Sequence, residues 1–209
     1  MKVTVVDYGA GNLLSVKNAV ENCGFDVELA TTADALAQAE RLILPGVGAF
    51  AKAMQTLHAQ GLVDALHHAV RERKVPILGI CLGMQLMAEG SEEGEPVPGL
   101  GWLPAKVVRI CATETQFKVP HIGWNEVETR QESPLFRGLS RNPLFYFVHS
   151  YHVSPRDPAL LEATCQYGGA VTAAVRWKNI AATQFHPEKS SQNGLRLLEN
   201  FLNWVPDGQ

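Results

Sequence analysis

The sequence contains no C-x-x-C pair, no apolar run long enough to span a membrane, no basic cluster and no low-complexity linker. Each absence excludes a class of protein. The four cysteines, Cys23, Cys81, Cys111 and Cys165, are too dispersed for a zinc ribbon or a disulfide scaffold, so reduced thiols are expected and one of them is free to act as a nucleophile. Lysine and arginine are scattered along a chain of net charge −3, which lacks the basic surface that a phosphate backbone requires; no nucleic-acid partner is expected. The apolar run at Met1 to Val6 meets Asp7 at once, too short for a signal peptide or membrane anchor, and reads as the first strand of a cytoplasmic protein. Charged residues make up only 19% against 46% hydrophobic, a balance that excludes disorder and predicts a buried core.

What is present is an alternation. Strand-like runs at Lys2 to Asp7, Asp26 to Leu29, Arg41 to Leu44 and Pro76 to Ile80 are separated by helical patterns at Leu13 to Cys23, Ala51 to Ala59 and Leu62 to Arg73. Alternation of this kind builds a parallel sheet flanked by helices. Beyond Gly90 the texture becomes β-rich, with runs at Lys106 to Ile110, Trp124 to Thr129, Phe145 to Val153, Leu161 to Gln166 and Val171 to Arg176. Tyr167-Gly168-Gly169 supplies a turn between the last two, Ile180 to Phe185 is a further run, and a final helix is expected from Gly194 to Trp204. The prediction is one α/β domain over residues 1–209, with a mostly parallel central sheet and an additional antiparallel portion.

Gly79-Ile80-Cys81-Leu82-Gly83 follows an apolar strand and opens a helical pattern, the layout of a nucleophile elbow with cysteine in place of serine. Glycines on both sides leave room for the turn, and the helix N-terminus favours a thiolate, lowering the thiol pKa. Taken alone, the pattern fits a buried structural cysteine equally well. His186-Pro187-Glu188 places a histidine and a carboxylate two residues apart in chain that proline keeps extended, so Glu188 can orient the His186 ring as base for Cys81. A surface turn is the plainer reading of that tripeptide. A metal site is disfavoured because no second ligand cluster stands nearby. His67 and His68 read as a solvated helix face, and His58, His121, His149 and His152 as structural.

Together, Gly79-Ile80-Cys81-Leu82-Gly83-Met84-Gln85 and Gln184-Phe185-His186-Pro187-Glu188 resemble the class I (triad) glutamine amidotransferases, whose fold is flavodoxin-like. Asp7 to Leu13, Leu44 to Phe50, Pro120 to Asn125 and Phe147 to Tyr151 narrow the resemblance to the glutaminase subunits of imidazole glycerol phosphate synthases. Pro45-Gly46-Val47-Gly48 stands where relatives serving other acceptors usually carry a G-G-P turn. The resemblance implies that Cys81, His186 and Glu188 hydrolyse L-glutamine through a thioester. It also implies backbone oxyanion donors at Val47, Gly48 and Leu82, and glutamine contacts at Gln85, Ser150 and Tyr151. Asn12, Trp124, Tyr146 and Lys189 would face a (β/α)8 cyclase subunit in a heterodimer that uses the ammonia; core packing is the alternative for Trp124 and Tyr146. No cofactor or metal is implied. An amidotransferase serving another acceptor, or a non-catalytic subunit of the same fold, are the rival expectations.

Overall fold

The computed structural model describes residues 2–9, 11–111 and 117–206; Ala10, within the Asp7 to Leu13 segment, lies outside them. Along the first half run β1 (Lys2–Val6), α1 (Leu13–Asn22), β2 (Asp26–Ala30), α2 (Ala33–Ala37), β3 (Arg41–Leu44), α3 (Phe50–Ala59), α4 (Leu62–His67), β4 (Ile77–Ile80) and α5 (Leu82–Leu86). There follow β5 (Gly90–Ser91), β6 (Val97–Pro98), β7 (Ala105–Arg109), β8 (His121–Glu126), β9 (Glu128–Thr129), β10 (Leu144–His149), β11 (Tyr151–Pro155), β12 (Leu161–Gln166), β13 (Ala170–Trp177), β14 (Ile180–Thr183) and α6 (Ser191–Asn203).

Eight strands form one sheet in the order β2-β1-β3-β4-β14-β13-β12-β9. It is parallel from β2 to β14 and antiparallel from β14 onward. The mixed α/β architecture expected from the alternation is therefore present. Its central parallel strands β3, β4 and β14 are buried on both faces, which explains their largely apolar runs, whereas the edge strand β2 is partly exposed and carries Asp26 and Glu28. Leu42 and Leu44 point into one core with Phe50, Leu57 and Leu66, while Ile43 between them points into the other with Val20, Leu197 and Phe201. Two smaller sheets, β10-β8 and β11-β7-β5-β6, lie outside the main one. Among the described residues no helix is long and apolar enough to cross a membrane.

Three expected elements differ. Phe145 to Val153 is two strands, β10 and β11, which part at Ser150 and join different sheets. Trp124 to Thr129 divides into β8 and β9 at buried Val127, because β8 pairs with β10 and β9 with β12. The helical pattern through Arg73 passes at His68 into a π-helical turn, His68–Glu72. His67 there is no solvated residue: its Nδ1 accepts from Trp102 Nε1 at 2.9 Å, whereas His68 is exposed and pairs with Glu72.

Candidate active site

β4 and β14 are adjacent and parallel, with Ile80 opposite Thr183. Two distant segments therefore leave the sheet at the same edge, Cys81 after β4 and Gln184 to His186 after β14, and the Cys81 N–H donates to the Thr183 carbonyl at 2.8 Å. Pro45 to Gly48 leave β3, the other neighbour of β4. The carboxyl edge of parallel strands is where open α/β sheets hold ligands, since strand-to-helix turns converge there.

Cys81 sits at φ 54°, ψ −108°, a strained conformation for a residue with a side chain, at the N-cap of α5. Its neighbours explain how the turn is held. A Cβ on Gly79 would stand 2.9 Å from both the Met84 nitrogen and the Met87 sulfur, and one on Gly83 would overlap the Leu44 carbonyl. The Cys81 sulfur receives the Gln184 Nε2 amide at 3.6 Å.

His186 is 1% exposed, and its Nδ1 lies 2.8 Å from Glu188 Oε1. The pair does not sit in extended chain as expected. Pro187–Lys189 forms a 3-10 turn, because proline at the first helical position presets its φ, and the turn swings Glu188 back onto the ring. Nε2 is buried without a hydrogen-bond partner. Burial alone opposes the imidazolium, but the nearby Cys81 sulfur and the hydrogen bond and charge of Glu188 outweigh it and raise the His186 pKa to about 9. Nucleophile, imidazole and carboxylate thus stand in the order needed for covalent acyl transfer.

A family model for class-I glutamine amidotransferases matches residues 4–204. The chain belongs to this family. Among curated relatives, imidazole glycerol phosphate synthase subunit HisH 2 of Pseudomonas aeruginosa is 44% identical, over 97% of this chain and 100% of its own length. Subunit HisH of Aromatoleum aromaticum is 46% identical, over 98% and 99%. Among solved structures, PurLQS of Thermotoga maritima is similar with a TM-score of 0.75 at 18% identity, covering 97% of each chain, a likeness of fold.

The remaining expected residues of this amidotransferase fall into three groups. Of the three expected oxyanion donors, Leu82 N–H donates to the Gly46 carbonyl at 3.3 Å, while Val47 and Gly48 are exposed and Gly48 has φ +100°. Gln85 lies beside the triad, its Nε2 donating to the Tyr151 carbonyl at 2.9 Å and to Gln184 Oε1 at 3.1 Å. The Ser150 carbonyl accepts from Ile110 N–H. Trp124 and Tyr146 are not core aromatics. They face each other across β8 and β10, ring centroids 6.1 Å apart, with Trp124 52% exposed beside exposed Ile122 and Leu144. Lys189 is exposed directly after Glu188, and half-buried Asn12 precedes α1 without a side-chain capping bond.

Three contributors had no role in the sequence reading. Gln184 bridges Gln85 to the Cys81 sulfur, although it stood inside the quoted motif. Glu93 accepts from Phe50 N–H at 2.8 Å and holds the start of α3 beyond the Pro45 to Gly48 turn; nothing in its acidic, glycine-rich surroundings signalled this. His149 Nδ1 lies 2.9 Å from the Tyr151 carbonyl and its Nε2 lies 3.0 Å from His121 Nδ1, so the two imidazoles brace the segment beside Gln85. A carbonyl only accepts, so His149 carries its proton on Nδ1 and His121 donates to it. Among the described residues no three His, Cys, Asp or Glu side chains group as metal ligands.

Proposed function

We propose that this chain is the glutamine-hydrolysing subunit of an imidazole glycerol phosphate synthase. The observation that carries the reading is the meeting of Cys81 with the His186–Glu188 pair at the carboxyl edge of β4 and β14. Full-length similarity to subunits of that synthase supports the choice of acceptor.

In this mechanism the Cys81 sulfur attacks the side-chain amide carbon of L-glutamine as thiolate, its proton held by His186. The C–N bond of the tetrahedral intermediate breaks as His186 Nε2 passes its proton to the leaving ammonia. Water then adds to the γ-glutamyl thioester while His186 takes its proton, and the C–S bond breaks to release glutamate and restore the thiolate. Glu188 keeps the ring oriented and balances its charge. Backbone N–H groups at Leu82 and at Val47 or Gly48 take the oxyanion once the loop has turned. Gln85, Ser150 and Tyr151 hold the amino-acid end of the substrate. Ammonia passes to a (β/α)8 synthase subunit that contacts Asn12, Trp124, Tyr146 and Lys189.

The experiment is reconstitution with a candidate synthase subunit and its ribulosyl nucleotide substrate. Glutamine-dependent formation of imidazole glycerol phosphate supports the reading. Glutamate release without transfer to that acceptor, in a complex that turns over with added ammonium, would rule it out.

A further inference from the structure

The Leu82 N–H is the donor closest in sequence to the nucleophile, and in this structure it is occupied by the Gly46 carbonyl at 3.3 Å. What holds Gly46 there is traceable to a residue outside the triad. Tyr8 is completely buried, and its hydroxyl donates to the Pro45 carbonyl at 3.1 Å. The same hydroxyl fills the space beside Gly46, where an added Cβ would overlap it and would also stand 3.0 Å from Leu82 Cβ. Burial, and then the charge of Cys81, push the Tyr8 pKa upward, so the phenol remains a neutral donor within electrostatic reach of the nucleophile.

The backbone turns this contact into a constraint. The proline ring locks φ at Pro45, and a pinned carbonyl fixes its ψ, so the Pro45–Gly46 peptide plane is held. Freeing Leu82 then requires rotating the next peptide through Gly46 ψ and Val47 φ alone. Val47 does not have positive φ here, and a half-turn of that peptide by itself would drive it there, a region that excludes β-branched residues. Spreading the rotation over Pro45 avoids the strain but breaks the Tyr8 hydrogen bond.

We propose that Tyr8 is a positioning residue whose hydroxyl latches the Pro45–Gly46 segment so that the Gly46 carbonyl covers the Leu82 N–H, keeping glutamine turnover low until the loop turns. The proposal rests on the glutaminase reading above. One intramolecular hydrogen bond corresponds to about a two- to tenfold change in the turned population.

The test is glutamate release from L-glutamine by wild type and Tyr8→Phe, each alone and with saturating synthase subunit and nucleotide ligand, with kcat and KM determined separately. Tyr8→Phe conserves ring and volume; Tyr8→Leu serves as a second hydroxyl-free variant, and thermal melts establish that each is folded. The expected result is a kcat about two- to tenfold above wild type for the chain alone, with KM little changed, and convergence of the two proteins in the activated complex. A residue that only supports the fold would leave kcat unchanged or lower it, and that result overturns the latch. A wild type that responds to its partner while both variants match it unpartnered overturns the latch alone. A wild type that releases no glutamate under any condition overturns the glutaminase reading and the latch with it.

Discussion

At the residue scale the His186 ring is buried, with Glu188 on Nδ1 and Nε2 without a hydrogen-bond partner. Cys81→Ala should abolish glutamine-dependent synthesis in the reconstituted complex and leave ammonium-dependent synthesis intact, because in the proposed mechanism the thiol acts only in releasing ammonia. Loss of both rates in a folded complex would contradict that division. His186→Ala should be the more damaging of the next two changes and Glu188→Gln the milder: in a serine-protease triad, losing the base costs on the order of 10⁶ in turnover and losing the orienter about 10⁴. Single-turnover glutamate release measures the order. The raised His186 pKa also has a stability consequence. The folded value of about 9 lies above the ordinary 6.5, so the stabilisation is complete below about pH 6.5 and is lost as pH rises through about 9. Denaturant midpoints of wild type minus His186→Gln should shrink across that window, and a constant difference would show that the ring does not bind its proton more tightly when folded.

At the element scale, two devices hold the catalytic segments. The turn from β4 into α5 works only because Gly83 lets the helix start against the Leu44 carbonyl. Gly83→Ala should destabilise the fold by about 1–3 kcal/mol through overpacking and should depress glutamine hydrolysis by much more than that loss of folded protein explains. Chemical denaturation combined with alkylation kinetics of Cys81 separates the two effects. The second device is the His121–His149 pair, stacked between Phe147 and Tyr167 through His121. Burial lowers the His121 pKa to about 4; burial first, and then neighbouring histidines, lower that of His149 to about 3 despite its bond to Tyr151. The sign is opposite to that of His186: this stabilisation is present above about pH 6.5 and is lost as pH falls toward 4 and then 3. His149→Asn keeps the donor to Tyr151 but removes one titrating ring, so its stability should fall less steeply than that of wild type between pH 6.5 and 4. Parallel curves would mean that the ring is not held neutral by the fold.

At the scale of the whole molecule, the proposed oxyanion donor Leu82 is covered by Gly46, and exposed Trp124, Ile122 and Leu144 offer an apolar face. The isolated chain should therefore hydrolyse glutamine slowly, and docking of the synthase subunit with its nucleotide should accelerate it by about a hundred- to a thousandfold, the worth of one oxyanion donor. Glutamate release by the chain alone, with partner, and with partner plus ligand measures this; equal rates would exclude a gated loop. Trp124→Ala should weaken the complex by about tenfold or more, as aromatic anchors at the centre of an interface do, without altering the fold of the free chain. Titration calorimetry distinguishes that from a neutral rim position.

Much of this was legible along the chain, because its signals are local. The β1 to β4 runs alternate with helical patterns and are followed by glycine, so they read as parallel strands. The elbow at Cys81 and the His186-Pro187-Glu188 tripeptide each contain in a few residues the glycines, proline and side chains that their geometry needs. Where meaning depended on partners distant in sequence, the reading stopped or erred. That Phe145 to Val153 changes sheets at Ser150 follows from which strands lie beside it. That Trp124 faces outward follows from its pairing with Tyr146 on β10. Pairing of β4 with β14 alone brings Cys81 to His186, and the contact of Tyr8 with Pro45 and Gly46 exists only because β1 and β3 are neighbours in the sheet. Short-range chemistry is written in adjacent residues, whereas the covering of Leu82, the bracing of Tyr151 and the tautomers of His121 and His149 depend on tertiary contacts that no local pattern encodes.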